Sequence, residues 1–263
     1  TATASYNVAV GYKAGEAVTT GIQNTLIGSL AGDALTDADR NVAVGFGALT
    51  VDTLGSKSTA IGANALLLQN FTTATDTFNV AVGYEAGAAI TTGDSNTLIG
   101  GLAGDALTTG TDNVAIGKDA LTSDTLGSKT VAIGKNTLEA QNFTTATDAN
   151  NVAIGDSAGQ ALTTGVNNTL IGALAGDAIT DADNNVALGY GALTSDTLGS
   201  RTTAIGRFAG YNQNFTTATD SHNTYVGYYS GANVTTGTLN TLVGGLTGDA
   251  LTTGEENVAM GYQ

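Results

Sequence analysis

Gly155-Asp156-Ser157-Ala158-Gly159 has the Gly-x-Ser-x-Gly form that exposes a nucleophilic serine on a tight turn. The matching chemistry would be acyl transfer, with the sole histidine, His222, as base. The sequence argues against it. The segment 72 residues earlier is Gly83-Tyr84-Glu85-Ala86-Gly87, so Ser157 occupies a variable turn position. His222 lies about four repeats further on, too far for the hydrogen bond that a triad needs. Three copies of His222 on a symmetry axis could hold a metal, but Phe78 and Asn150 stand at the equivalent positions, and a surface turn is expected. Aspartates recur at the same 72-residue spacing: Asp33, Asp105, Asp177 and Asp249; Asp52, Asp124 and Asp196; Asp76, Asp148 and Asp220. Calcium takes six to eight clustered oxygens. Within a column these carboxylates are about four strand spacings, roughly 19 Å, apart. Turn capping is the expected use, with Ca2+ bridging neighbouring chains as the alternative, and no other cofactor is implied. The expectation is a protein that is not an enzyme.

Other recurrent side chains have humbler expected uses. Lys57, Lys129 and Arg201 form a basic column suited to rim or inter-chain salt bridges. Tyr12, Tyr84, Tyr190, Tyr228 and Tyr262 each follow a glycine; packing beside that bend is expected, with stacking on sugar rings as the alternative. Asn70, Asn142 and Asn214 begin Asn-Phe-Thr patterns of the glycosylation type.

These residues are placed by a repeat that covers the chain. A five-residue unit, Asn-(Val/Thr)-(Ala/Leu)-(Val/Ile)-Gly, starts at 7, 24, 41, 58, 79, 96, 113, 130, 151, 168, 185, 202, 223, 240 and 257. The spacings run 17, 17, 17 and 21, and then repeat. The fifth position is always Gly; the first is Asn except at Ser58, Thr130 and Thr202. A 17-residue period is too short for a helical pair. It holds two short strands and two turns: Val, Ile, Leu and Thr favour strand, and the Gly, Asn and Asp clusters favour turns. The predicted fold is all-β, a parallel β-solenoid of about fifteen rungs, a single repetitive body over 1–263 and a piece of a longer fibre. At ~4.8 Å per rung it would be roughly 70 Å long. Asn7, Asn24, Asn41, Asn79, Asn96 and Asn113 are expected to stack as a ladder of hydrogen-bonded amides. Phe71, Phe143 and Phe215 recur in the 21-residue rungs and are expected to fill them.

Alternation within the unit sends the second and fourth side chains one way and the third the other. The second and fourth are Val, Thr, Ile, Leu or Met, and are assigned to the interior. The third is Ala in ten units, Leu26, Leu98, Leu170 and Leu242 in four, and Tyr225 in one. A strand apolar on both faces is covered on both. The third-position row, including Ala43, Ala115 and Ala187, is therefore expected to be an oligomer interface with sister copies.

Composition bounds the partners. Hydrophobic residues are 41% of 263 and charged residues only 12%, which argues against disorder. A net charge of −15 opposes nucleic acid and anionic membrane surfaces as partners. There is no Cys for disulfides, and no apolar run long enough for a membrane-spanning helix.

The Asn-Val-Ala-Val-Gly, Asn-Val-Ala-Ile-Gly and Thr-Ala-Ile-Gly units, with the Ala-Gly and Thr-Thr-Gly that follow, resemble the head repeats of YadA-like trimeric autotransporter adhesins. Asn-Thr-Leu-Ile-Gly and Gly-Asp-Ala-Leu-Thr-Thr-Gly are similar to the repeats of bacteriophage tail fibres. The resemblance covers nearly the whole chain. It implies a left-handed parallel β-roll wound as a homotrimer. It also implies a structural shaft or head of an extracellular or virion-surface appendage, giving reach and attachment to a host cell. Adhesin-head rungs are shorter and lack the 17-17-17-21 rhythm. Two further expectations stand beside this one: a self-polymerising filament, and a solenoid that binds host glycans or proteins through its flank.

Overall fold

The computed structural model describes residues 4–263. Among the described residues there is no helix, and the structure is a parallel β-solenoid. The chain forms two compact units. One runs to Lys129 and takes in Thr144–Thr147; the other comprises Thr130–Phe143 and Asp148–Gln263.

Each five-residue unit forms a three-residue strand. In the first unit these are Val8–Val10, Thr25–Ile27, Val42–Val44, Thr59–Ile61, Val80–Val82, Thr97–Ile99 and Val114–Ile116. Each pairs in parallel with the next, like position on like position: Ala81 faces Leu98, and Val82 faces Ile99. The second unit stacks Val131–Ile133, Val152–Ile154, Thr169–Ile171, Val186–Leu188, Thr203–Ile205, Thr224–Val226, Thr241–Val243 and Val258–Met260 in the same register. A slip of one residue would exchange the two faces of a strand, so the repeated sequence locks the register.

The expected second strand of each rung is mostly replaced by turns. Two-residue strands pair beside the wider rungs, Gly55–Ser56 with Thr75–Asp76 and Gly199–Ser200 with Thr219–Asp220. Elsewhere the turns still bond upward. Gly87 N–H donates to the Ala103 carbonyl (3.0 Å), Ala89 N–H to Asp105 (2.9 Å) and Thr91 N–H to Thr108 (2.9 Å). The turns meet the demand that buried peptide groups be paired, without extended geometry.

The residue before every unit is left-handed. Tyr6, Gln23, Arg40, Lys57, Phe78, Ser95, Asp112 and their successors through Glu256 have φ between 50 and 64°. None is Val, Ile or Thr, for which such a φ is a strong outlier.

The two faces of the strand are the reverse of the sequence-based assignment. Leu98, Leu170, Ala43, Ala115, Ala187 and Tyr225 are fully buried, and Leu26 and Leu242 nearly so, all within the single chain. The third-position row is therefore the core of the roll and not an oligomer interface. The second and fourth side chains point outward. The physical reason is width. In most rungs a left-handed turn glycine crowds the interior: a Cβ on Gly87 or Gly104 would sit 2.7 or 2.8 Å from the Leu98 methyl groups. That space takes an Ala, a single Leu or, beside Gly210 and Gly231, the ring of Tyr225, and the β-branched residues lie on the open face. Leu35, Ile90, Leu107, Leu162 and Ile179 complete the core from the turns. Phe71, Phe143 and Phe215 fill the wider rungs, each almost buried.

Candidate interface and flank sites

The most conspicuous surface is the outward uncharged row, with Val or Thr at the second position and Val, Ile, Leu or Met at the fourth. Val42 and Val44, Val80 and Val82, Val114 and Ile116, Thr169 and Ile171 each flank a buried third-position residue while remaining partly accessible. Ile27 is 39% exposed and Leu188 41%. None of the outward positions in the fifteen strands carries a charge. Three residues of strand by seven or eight rungs make a strip of roughly 330–380 Å2 on each unit, at ~3.3 Å per residue and ~4.8 Å per rung. A typical soluble monomer's largest apolar patch is about that size and is often functional.

The Asn column is buried beside this sheet. Its bonding runs chiefly from side chain to backbone. The Asn24 side-chain oxygen accepts from the Asn41 N–H (2.9 Å), and the Asn24 amide donates to the Ala38 carbonyl (2.7 Å). Asn7 accepts from Asn24 N–H and donates to Gly21 (both 2.8 Å). Asn79, Asn96 and Asn113 repeat the pattern. Amide-to-amide contact is a minor addition, as in Asn96 to Asn79 at 3.3 Å. The reason is register: a neighbouring peptide N–H lies closer to each side-chain oxygen than the next amide does. Ser58 and Thr202 keep the N–H bond to the preceding Asn at 2.8 and 2.9 Å but cannot make the forward one.

That lost bond is compensated by a buried polar cluster in the wide rungs. Asp196 is buried, and one of its oxygens accepts from the N–H groups of Gly199 and Phe215, both 3.1 Å. Its other oxygen accepts from the Gln213 amide, which also donates to Thr202 Oγ1 at 2.8 Å. Gln213 Oε1 then accepts from Asn223 and from the Tyr225 hydroxyl, each 2.9 Å. Asp52, Gln69, Ser58 and Asn79 form the equivalent cluster in the first unit. Burial raises the Asp196 carboxyl above its ordinary range, and the hydrogen bonds offset part of that shift. Burial, with the nearby Asp196 charge second, also raises the Tyr225 phenol. Among the described residues every buried side-chain nitrogen and oxygen has a partner, so the cluster specifies the fold rather than presenting reactive groups.

The other sequence-marked residues do not converge. The hydroxyl of Thr122 donates to Asp105 at 2.5 Å, and Asp105 is raised, foremost by partial burial. Lys57 pairs with Asp76 at 2.6 Å and Arg201 with Asp220 at 3.0 Å. Both pairs are within the chain and well exposed, hence worth little to stability. Ser157 sits in a left-handed turn, and His222 is an exposed left-handed residue before Asn223. Among the described residues no three of His, Cys, Asp and Glu are grouped to hold a metal ion. The tyrosines after the unit glycines do not pack into the bend: Tyr12 is 69% exposed and Tyr190 45%.

A further column runs along the turns. Thr19, Thr36, Thr91, Thr108, Thr163, Thr180 and Thr235 each donate a hydroxyl bond to the carbonyl of the next rung. The signal was present as an unbroken Thr-or-Asn column at 17- and 21-residue spacing. No helix of the described residues is long and apolar enough to cross a membrane. No protein-family model, no curated protein and no solved structure matches the chain.

Proposed function

We propose that the chain is a non-catalytic structural segment of an extracellular or virion-surface fibre, assembled by winding copies of itself side by side through the outward Val/Ile row. The observation that carries this reading is that row, uncharged on every rung and partly open to solvent. Its period is the rung spacing itself. Another copy, parallel and in register, presents the same spacing over the whole length, which a partner of different architecture does not. Three copies about an axis give each row two neighbours to share, and closed cyclic symmetry ends the assembly at a defined size. The role is then mechanical: reach, stiffness and presentation of attachment surfaces, with bending resisted because within each unit every rung is bonded to the next. The net charge of −15 keeps such bundles from clumping with one another.

The test is the mass of the intact chain in solution by sedimentation or light scattering. Three times the 26.0 kDa of one chain is the expected result. A 26.0 kDa particle at micromolar concentration overturns the reading.

A further inference from the structure

A repeat protein shows its special places by breaking its own columns. The second unit does so over two stacked rungs. Phe208, Tyr211 and Asn212 stand where the earlier super-repeats have Asn64, Leu67 and Leu68, or Asn136, Glu139 and Ala140. On the next rung Tyr229 replaces Lys13, Glu85 and Ser157, and Asn233 replaces Ala17, Ala89 and Ala161. Such concentrated departures are not required by the fold, because the other super-repeats form the same rungs without them.

The substituted side chains make two adjoining surfaces. The first is aromatic. Phe208 meets Tyr190, Tyr211 and Tyr229 with ring centroids 5.3, 5.0 and 5.0 Å apart, and the Arg207 guanidinium lies 4.3 Å over the Phe208 ring. Tyr211 is 37% exposed and Tyr228 52%. The second is an open groove of about 570 Å3 into which Asn212, Asn214, Asn233, Thr235, Asp249 and Thr252 bring polar groups, with Ser195 and Ala250 completing its lining. Asn212 donates to the Asn233 side chain at 2.9 Å, and Asn233 donates to the Asp249 carbonyl at 2.6 Å. These bonds orient both amides along the groove. Each carboxamide has two donors and a two-lone-pair oxygen, so neither is exhausted by one bond.

We infer that this groove, together with the ring of Tyr211, the chain neighbour of Asn212, is a binding site for a neutral saccharide. A pyranose has an apolar face of C–H groups and a rim of hydroxyls that both donate and accept. The aromatic surface suits the face, whose C–H groups carry partial positive charge toward the ring's negative π cloud. The carboxamides, the Asp249 carboxylate and the threonine hydroxyls suit the rim. A few polar groups beside an aromatic wall is the usual make-up of a small-molecule site. Asp249 and the net charge of −15 disfavour an acidic sugar. The site lies within one unit of one chain, so it stands whether or not copies assemble.

The test uses the full chain against immobilised neutral oligosaccharides ending in glucose, galactose, mannose or N-acetylglucosamine. The variants restore residues that the repeat already uses: Tyr211→Leu with Asn233→Ala, as in Leu67 and Ala89, and separately Asn212→Ala, as in Ala140. Circular dichroism confirms that they fold. Saturable binding to at least one probe is expected. It should weaken tenfold or more in both variants and be unchanged in Leu67→Ala, the matching position of the first unit. Absence of binding to every probe, binding unchanged in the variants, or equal loss in Leu67→Ala would overturn the site.

Discussion

Gly100→Ala is expected to cost 4 kcal/mol or more, about the threshold of exceptional single mutations, whereas Gly261→Ala loses only about 1–3 kcal/mol. The two glycines share nearly the same backbone, φ +138° and +141°, so the strain of placing a side chain there is common to both. What differs is space. A Cβ on Gly100 would lie 2.3 Å from the Gly117 carbonyl oxygen, a backbone atom fixed by the next rung. A Cβ on Gly261 has no atom within 4 Å. Urea or thermal unfolding of the two variants separates strain from collision. Equal losses would mean that the glycine column serves backbone conformation alone and not the close stacking of rungs.

The second large effect distinguishes neighbours in sequence that face opposite ways. Leu98→Asp should abolish the fold, because it removes a wholly buried side chain, worth about 2–5 kcal/mol, and leaves a carboxylate in an apolar interior, where an isolated charge costs far more. Ile99→Asp should leave the β-signal in circular dichroism largely intact, since Ile99 is 37% exposed, yet reduce the assembled species to single chains. If Leu98→Asp folds and merely dissociates, the face assignment is reversed. If Ile99→Asp neither unfolds nor dissociates, the outward row is not a contact surface.

The rung was legible because its evidence is periodic. Fifteen glycines and fifteen small polar starts at 17- and 21-residue spacing leave one way to stack, and the observed register follows the unit column by column. The choice of interior face was not legible. Both faces of the unit are apolar, so alternation divides the side chains into two sets without saying which is inside. The deciding facts are tertiary: how closely the opposing turn approaches, and that Gly87 and Gly104 press on Leu98. The left-handed position before each unit left only an indirect trace, the absence of β-branched residues there. The wide-rung cluster was half legible. Asp52 and Asp196 were read correctly as partners of nearby turn N–H groups, but their link to Gln69 and Gln213 spans a whole rung. The aromatic and Asn substitutions around Phe208 were visible as column breaks, but only stacking shows that successive rungs contribute to one groove.

The central claim is that the outward row is covered by a parallel, in-register copy, and a short thiol-to-thiol crosslinker tests it most directly because the chain has no cysteine of its own. Copies wound about a common axis bring the same residue number together, so Ile99→Cys should give covalently linked chains within minutes at dilute protein. Leu98→Cys, one residue away and buried, should give none. Rapid linkage in Ile99→Cys alone is the predicted result; a chain that stays single in Ile99→Cys would contradict it.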